Sequence, residues 1–521
     1  MLGSHNQNSI LINFEPKENF KMSFYSQMES ILNQRTTRTE NGAVSFATSG
    51  NALVDMNFKV PSYRGATEQT ILSDFLAAFA EDPVLALKWM FYAGDVRQGL
   101  GERRLFKTLV KNVLPKYKHL IKLIPEYSRW DIVTELFGTT AEDDAIALIK
   151  TQLDTDLKAL KDNKPISLLG KWLPSVNTSS KETVAKAHLL CKALGMHPSQ
   201  YRKTLSKLRA YSNVIEVKLC ANKWNEIDYQ TVPSKANLKY KDSFLKHDEA
   251  RRREFLNALD KGEVKINSSV AFPHDIVHAY KTVSGWNPTA KAYDAALEGM
   301  WKNLPKIEMT KPLIVVRDGS GSMDVTTIPN SNIQAEDVAT ALAIYCAERN
   351  VGGFKNTFIT FDDHPTLIKL SDQMSLRDKL VRAFKENTCG STNIEATMDL
   401  ILRTAVDNKM KQEDIPDVLI ISDMEFNGAT TLRYNHSQNR LKTLFETIEG
   451  KFNAKGYKMP GLVFWNVNSR TNAMPLQQND QGLKLLSGFS QNILKMAMSN
   501  KLDPFEVLKD VLLSARYEPI K

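Results

Sequence analysis

Leu313-Ile314-Val315-Val316-Arg317-Asp318-Gly319-Ser320-Gly321-Ser322-Met323 is the stretch whose reading decides the fold. It opens with a short apolar run rich in β-branched residues and breaks into a Gly/Ser turn behind a carboxylate. That is how a buried strand ends at the edge of a sheet. Three similar runs follow: Thr357–Phe361, Val418–Ile421 and Gly461–Trp465. Between and after them the apolar spacing turns helical, over 335–348, 376–384, 394–406, 440–448 and 505–513. Continuous apolar strands alternating with helices predict a doubly wound α/β domain, with a mostly parallel sheet covered on both faces. Ligands of such sheets bind at the carboxyl ends of the strands. Asp318-Gly319-Ser320-Gly321-Ser322 follows the first strand, Ser422-Asp423 follows a later one, and Gly390-Ser391-Thr392-Asn393 opens a helix between them. Two carboxylates and three hydroxyls at one edge are hard oxygen donors, suited to Mg²⁺, Mn²⁺ or Ca²⁺ rather than zinc.

Upstream, the texture is helical from about 68 to 300. Apolar residues at 71, 72, 75, 76 and 79 form one stripe, and Pro83 stands at the start of the next helix. Stretches 105–114, 130–136, 145–160, 181–193 and 201–208 read the same way, which predicts a stack of antiparallel helix pairs. Residues 23–34 read as a short helix, and 35–66, rich in Thr, Asn, Gly and Ser, as an extended arm or loop. The expected organisation is an arm and short helix over 1–66, an all-α helical module over 67–306 and the α/β domain over 307–521.

The chain has 521 residues, 42% of them hydrophobic and 24% charged, which excludes a disordered chain. No apolar run approaches the roughly 18 residues of a membrane span, and the polar N-terminus lacks a secretory pattern, so a cytoplasmic protein without a membrane partner is expected. The four cysteines, Cys191, Cys220, Cys346 and Cys389, form no CxxC pair and read as buried or idle thiols. The net charge of +9 is local: residues 101–253 hold 29 Lys and Arg against 17 Asp and Glu. Such an excess attracts a polyanion, with solvated helix faces as the plain alternative. Basic positions cluster at Arg103-Arg104, Lys158 to Lys171, Arg202-Lys203-Lys207-Arg209 and Arg251-Arg252-Arg253, interleaved with Trp172, Tyr201, Tyr211, Trp224, Tyr229 and Tyr240. Cations for phosphates and rings for bases fit RNA. The competing readings are a core anchor for Trp172 and a solvated, ion-paired face for the Arg251 triplet. Arg97 and Arg103 flank a Gly-rich turn that is either an anion-binding nest or a plain helix connection.

Catalysis has little support. There is no GxxxxGK[ST], no HExxH and no GxSxG. His274 and His278 are four apart but lack the Glu of a metalloprotease, and a nuclease lacks an evident general base. The chain reads as a non-enzyme.

The Asp-x-Ser-x-Ser, Thr, Asp set resembles the metal-ion-dependent adhesion site of a von Willebrand factor A domain, over roughly 308–521. That resemblance implies Ser320, Ser322 and Thr392 as hydroxyl ligands, and Asp318 and Asp423 as carboxylates binding directly or through water, around a divalent ion, Mg²⁺ foremost. Asn41-Gly42-Ala43, Thr48 to Asp55, Asp95 to Arg103, Lys171-Trp172-Leu173-Pro174-Ser175, Tyr201 to Ser206 and Trp224 to Ser234 are similar to a TROVE-like family of unknown function. A helical module followed by a von Willebrand A domain resembles the Ro proteins, whose HEAT-like ring binds small structured and single-stranded RNA. The resemblance implies a Ro-like RNA scaffold or chaperone. Arg97, Arg103, Arg104, Lys171, Arg202, Lys203, Lys207 and Arg209 are the candidate RNA contacts. The alternative is a protein interaction module whose metal captures an acidic residue of a protein partner.

Overall fold

A computed structural model describes residues 36–284, 287–361, 364–385, 390–429, 434–435, 440–475, 482–499, 501 and 503–521. The helix read over 23–34 and Cys389 lie outside them. The chain has a helical N-terminal part and a C-terminal mixed α/β part.

The sheet of the C-terminal part has six strands: β5 (Leu313–Asp318), β6 (Thr357–Phe361), β7 (Thr366–Lys369), β8 (Asp417–Ser422), β11 (Leu462–Asn466) and β12 (Leu483–Ser487). Their order is β12-β11-β8-β5-β6-β7, and only β7 is antiparallel to its neighbour. From β5 the chain steps to β6 and β7 on one side, then returns to build β8, β11 and β12 on the other. The reversal lies between β5 and β8, so their carboxyl ends flank a crevice. The unbroken apolar runs have a simple cause: both faces are buried. Leu313, Val315, Leu419, Ile421, Val463 and Trp465 face one core, while Ile314, Val316, Val418, Ile420, Leu462 and Phe464 face another. The first core is continuous with that of the helical part.

Between sheet and helical part runs the helix Ala335–Arg349, buried at every position from Ala335 to Ala347. Against it packs Pro273–Tyr280. The seam is polar at one end, where His278 Nδ1 lies 2.7 Å from Asp337 and Lys281 binds Glu336, with Asp324 at 3.2 Å.

The helical part includes Glu68–Glu81, Pro83–Gly94, Arg103–Val113, Glu142–Lys161, Lys181–Ala193 and Pro198–Tyr211, as the periodicity predicts. Several expectations need correction. Residues 130–136 form a 3₁₀ helix, not an α-helix. The module is not all-α: β3 (Lys281–Ser284) pairs with β4 (Asn287–Ala290). The helix expected from Arg440 begins at Leu444, because Thr443 caps it there, and Tyr434–Asn435 (β9) pairs with Arg440–Leu441 (β10) instead. The 35–66 stretch is more than an arm. It holds a hairpin of β1 (Thr36–Arg38) and β2 (Val44–Phe46), then a helix, Ala52–Phe58, capped by Asn51. This segment packs against the α/β part: Asn466 Nδ2 and Ser487 Oγ donate to the carbonyls of Phe58 and Asn57.

The chain's last residues return the other way. Arg516 Nε and Tyr517 Oη donate to Oδ2 of fully buried Asp95 at 2.9 and 3.1 Å, and Tyr127 stacks on Tyr517. Among the described residues no helix is long and apolar enough to cross a membrane.

Candidate metal centre and basic face

The candidate centre forms where β5 and β8 end side by side. Arg317 pairs with Ile421, so the next residues, Asp318 and Ser422, face each other, and Ser422 Oγ donates to Asp318 Oδ2 at 2.5 Å. Asp318 Oδ1 accepts from the Ser320 amide at 2.9 Å, which folds the Gly/Ser turn over the strand end. Ser320 Oγ lies 3.1 Å from Ser322 Oγ, and Ser322 Oγ donates to Asp423 Oδ2 at 2.9 Å. Four of the five candidate ligands are therefore linked by direct hydrogen bonds. Thr392, also buried, joins through its neighbours: its carbonyl accepts from Asn427, and the Gly390 carbonyl accepts from Gly321.

Both carboxylates are fully buried. Burial raises the Asp318 carboxyl above its ordinary range, and burial followed by repulsion from Asp318 pushes Asp423 up to about 7. Two cations oppose this: the charge of Arg317 lowers Asp318, and Arg470 Nη1 donates to Asp423 Oδ2 at 3.0 Å. Two buried carboxylates facing three hydroxyls fit a divalent cation by the chemistry of the donors: every one is a hard oxygen. Among the described residues no group of three or more His, Cys, Asp or Glu side chains could hold a metal. The fit of this centre therefore depends on its hydroxyls.

Besides Arg470, three participants escape sequence reasoning. Glu425, fully buried, accepts from the amides of Arg470 (2.7 Å), Thr471 (2.8 Å) and Glu40 (2.8 Å). Met424 between Asp423 and Glu425 has φ of +65°, a left-handed conformation that lets both acids turn inward at a cost of about 1–2 kcal/mol. Asn41, at the tip of the β1–β2 hairpin, donates to Thr392 Oγ1 at 3.2 Å. The alternation Asp423-x-Glu425 is the one local signal; Arg470 and Asn41 have none, being far away in sequence.

The basic positions separate into two groups. Arg202, Lys203 and Lys207 are exposed on the 198–211 helix, Lys203 and Lys207 side by side at a four-residue spacing, and no hydrogen bond or ion pair engages them among the described residues. With Ser175, Asn177 and Ser206 they line a cavity of about 550 Å³, the volume of a small-molecule site. Arg209, on the same helix, is spent internally: its guanidinium donates to the carbonyls of Gly170 (2.8 Å) and Leu173 (3.0 Å) and to Ser175 Oγ (3.0 Å). Arg104 likewise binds the carbonyls of Tyr63 and Ala66. Arg97 and Arg103 are exposed, and Lys171 lies 5.3 Å from the Trp172 ring.

Other readings change. Trp172 is half-buried with the Arg129 guanidinium 3.8 Å above it. Tyr201 and Tyr229 are buried and offer no face for a base. Arg251 and Arg253 are ion-paired at the surface as expected, but Arg252 points inward among Tyr229, Phe244 and Phe255. The Gly-rich turn is a helix connection and not a nest: the amides of Gly99, Leu100 and Glu102 already donate to Asp95, Tyr92 and Ala93. Cys191 and Cys346 are buried, and Cys220 is exposed.

Comparison with known proteins agrees in outline with a chain of two parts. Residues 130–307 match a domain of unknown function, DUF2828, and residues 313–510 match another, DUF7788. An uncharacterized protein of Acanthamoeba polyphaga mimivirus is 29% identical, covering 91% of this chain and 86% of the viral protein. Among solved structures, the Ro (RSR) protein of Deinococcus radiodurans aligns over 85% of this chain and 90% of its own, with 13% identity and a TM-score of 0.32. At that distance neither a shared site nor a shared activity follows. The chain is thus similar along most of its length to a viral protein without a known role, and in each of its two parts to a domain whose function is unknown.

Proposed function

We propose that this chain is a non-enzymatic RNA-binding protein, a Ro-like scaffold or chaperone for small RNA. In this reading a HEAT-like helical module is joined to a von Willebrand A domain bearing a divalent metal, foremost Mg²⁺. The observation that carries the RNA reading is the trio Arg202, Lys203 and Lys207, exposed around one cavity and without an ion-pair partner among the described residues. Cations without internal partners are available to phosphates, and contacts of that kind weaken steeply with salt. Arg97, Arg103 and Lys171 are further candidate contacts, whereas Arg104 and Arg209 are engaged by the chain's own carbonyls. Ser320, Ser322, Thr392, Asp318 and Asp423 would hold the ion, which supplies positive charge for an acidic group. The test is sequencing of the nucleic acid that co-purifies at low salt with the wild-type protein and with the R202A/K203A/K207A variant. A discrete small RNA, enriched on the wild type and lost from the variant, is expected. Bulk RNA held equally by both and removed by moderate salt overturns the reading.

A second reading, capture of an acidic residue of a protein partner at the metal, is favoured by Val325. This apolar side chain, three residues beyond Ser322, is 80% exposed, and exposed apolar groups beside a polar anchor are what interfaces cover. Ser320→Ala separates the two: it abolishes protein capture in this reading and leaves RNA affinity intact in the first.

A further inference from the structure

The β1–β2 hairpin closes over one side of the candidate centre. Its tip is fastened at several points: Thr39 Oγ1 donates to the Phe426 carbonyl (2.6 Å), the Glu40 amide to Glu425 Oε2 (2.8 Å), and Asn41 Nδ2 to the Glu425 carbonyl (2.5 Å) as well as to Thr392 Oγ1. Gly42 and Asn427 form an isolated β-bridge. The hairpin thereby delivers a carboxylate. Glu40, about half exposed, ion-pairs with Arg470 Nε, while Nη1 of the same guanidinium holds Asp423 Oδ2. The oxygen that Arg470 grips on Asp423 is also the one Ser322 donates to. One cation therefore bridges a candidate metal ligand and an acidic side chain brought from outside the α/β part.

Hydroxyl ligation leaves a divalent ion with net positive charge and room for one more acidic ligand. We propose that Glu40 is that ligand: the chain supplies its own acidic group, and the 36–46 hairpin is a tethered occupant of the position a partner's carboxylate would otherwise fill. Arg470 holds Glu40 beside the centre, and an ion at Ser320, Ser322 and Thr392 attracts the same carboxylate with twice the charge. The inference rests on the metal reading of those residues. A carboxylate already attached competes at high effective concentration, so an external acidic partner would have to displace the hairpin.

The test uses the full chain. Mn²⁺ binding is followed by loss of the free-ion electron paramagnetic resonance signal, for wild type, E40Q, R470Q and E40Q/R470Q. Hydrogen exchange of the 36–46 amides is measured with and without Mg²⁺. E40Q should weaken Mn²⁺ binding about tenfold, because ligand charge sets affinity for hard cations. The same loss should persist between R470Q and E40Q/R470Q. Mg²⁺ should slow exchange of the hairpin in wild type but not in E40Q. Equal Mn²⁺ affinity in wild type and E40Q overturns the inference and leaves the metal reading standing. An E40Q effect that vanishes in the R470Q background also overturns it, reducing Glu40 to a partner of Arg470. Absence of Mn²⁺ binding by the wild type removes the metal reading itself.

Discussion

The carboxyl edge of the sheet and the outer face of the 198–211 helix are both crowded with charge, yet they are built in opposite ways. At the sheet edge the charges answer one another: Asp423 meets Arg470 and Ser322, Arg470 meets Glu40, and Glu425 gathers the amides of three residues. On the helix face, Arg202, Lys203 and Lys207 have no hydrogen-bond or ion-pair partner among the described residues, although Arg209, two turns from Arg202, spends its whole guanidinium on the chain's own carbonyls and a serine. The contrast teaches that residue type does not announce a role. A charge with internal partners fixes geometry, as a small ion requires. A charge without them stays in water and is open to a partner from outside.

The contrast can be broken at its strongest point first. Glu425→Ala strands several buried donors and should cost about 3–5 kcal/mol of stability in denaturant unfolding. A loss below about 1 kcal/mol would mean that the sheet edge is not the rigid partner in the comparison. The seam beside it is next. Burial lowers His274 to about 4, and its Nδ1 has no partner among the described residues. A histidine kept neutral in the fold but protonated when unfolded below its ordinary value of 6.5 contributes stability above that pH and loses it as pH falls toward 4. The loss should reach about 3 kcal/mol, and unfolding midpoints of His274→Leu should be flatter over the same window. Arg209→Ala should then destabilise the protein by about 2 kcal/mol, which separates it from its exposed neighbours. R202A/K203A/K207A sits at the small end for stability, within about 0.5 kcal/mol of wild type. Its effect should fall on RNA instead, lessening the salt slope of binding by about 2. Large destabilisation by the triple change would erase the distinction between the two regions.

Much of the fold was legible because burial on two faces leaves a plain trace. The apolar runs of β5, β6, β8 and β11 announced themselves. β12 did not: Lys484 interrupts it, and only the structure shows that this lysine is buried, its Nζ held by the carbonyls of Ala497 and Ser499 at 2.7 and 2.5 Å. β7 was missed as a short edge strand with partly exposed faces. At the candidate centre, Asp318, Ser320 and Ser322 stand within five residues and could be read as a motif. Glu40, Asn41 and Arg470 could not, because what unites them is the docking of a hairpin hundreds of residues upstream. Arg252 shows the reverse failure: three adjacent arginines suggest a solvated stripe, but helical geometry turns the middle one into an aromatic pocket.

The clasp between Asp95 and Arg516-Tyr517 joins residues that are made far apart in time. Asp95 and Tyr517 are 422 positions apart, so at ordinary translation rates about 20 to 85 seconds separate their synthesis. Throughout that interval the emerging helices carry a carboxylate whose burial awaits Arg516, and contacts of such long separation close late. A chain truncated before Arg516 and Tyr517 would leave Asp95 without these two partners and that side of the helical part unsealed.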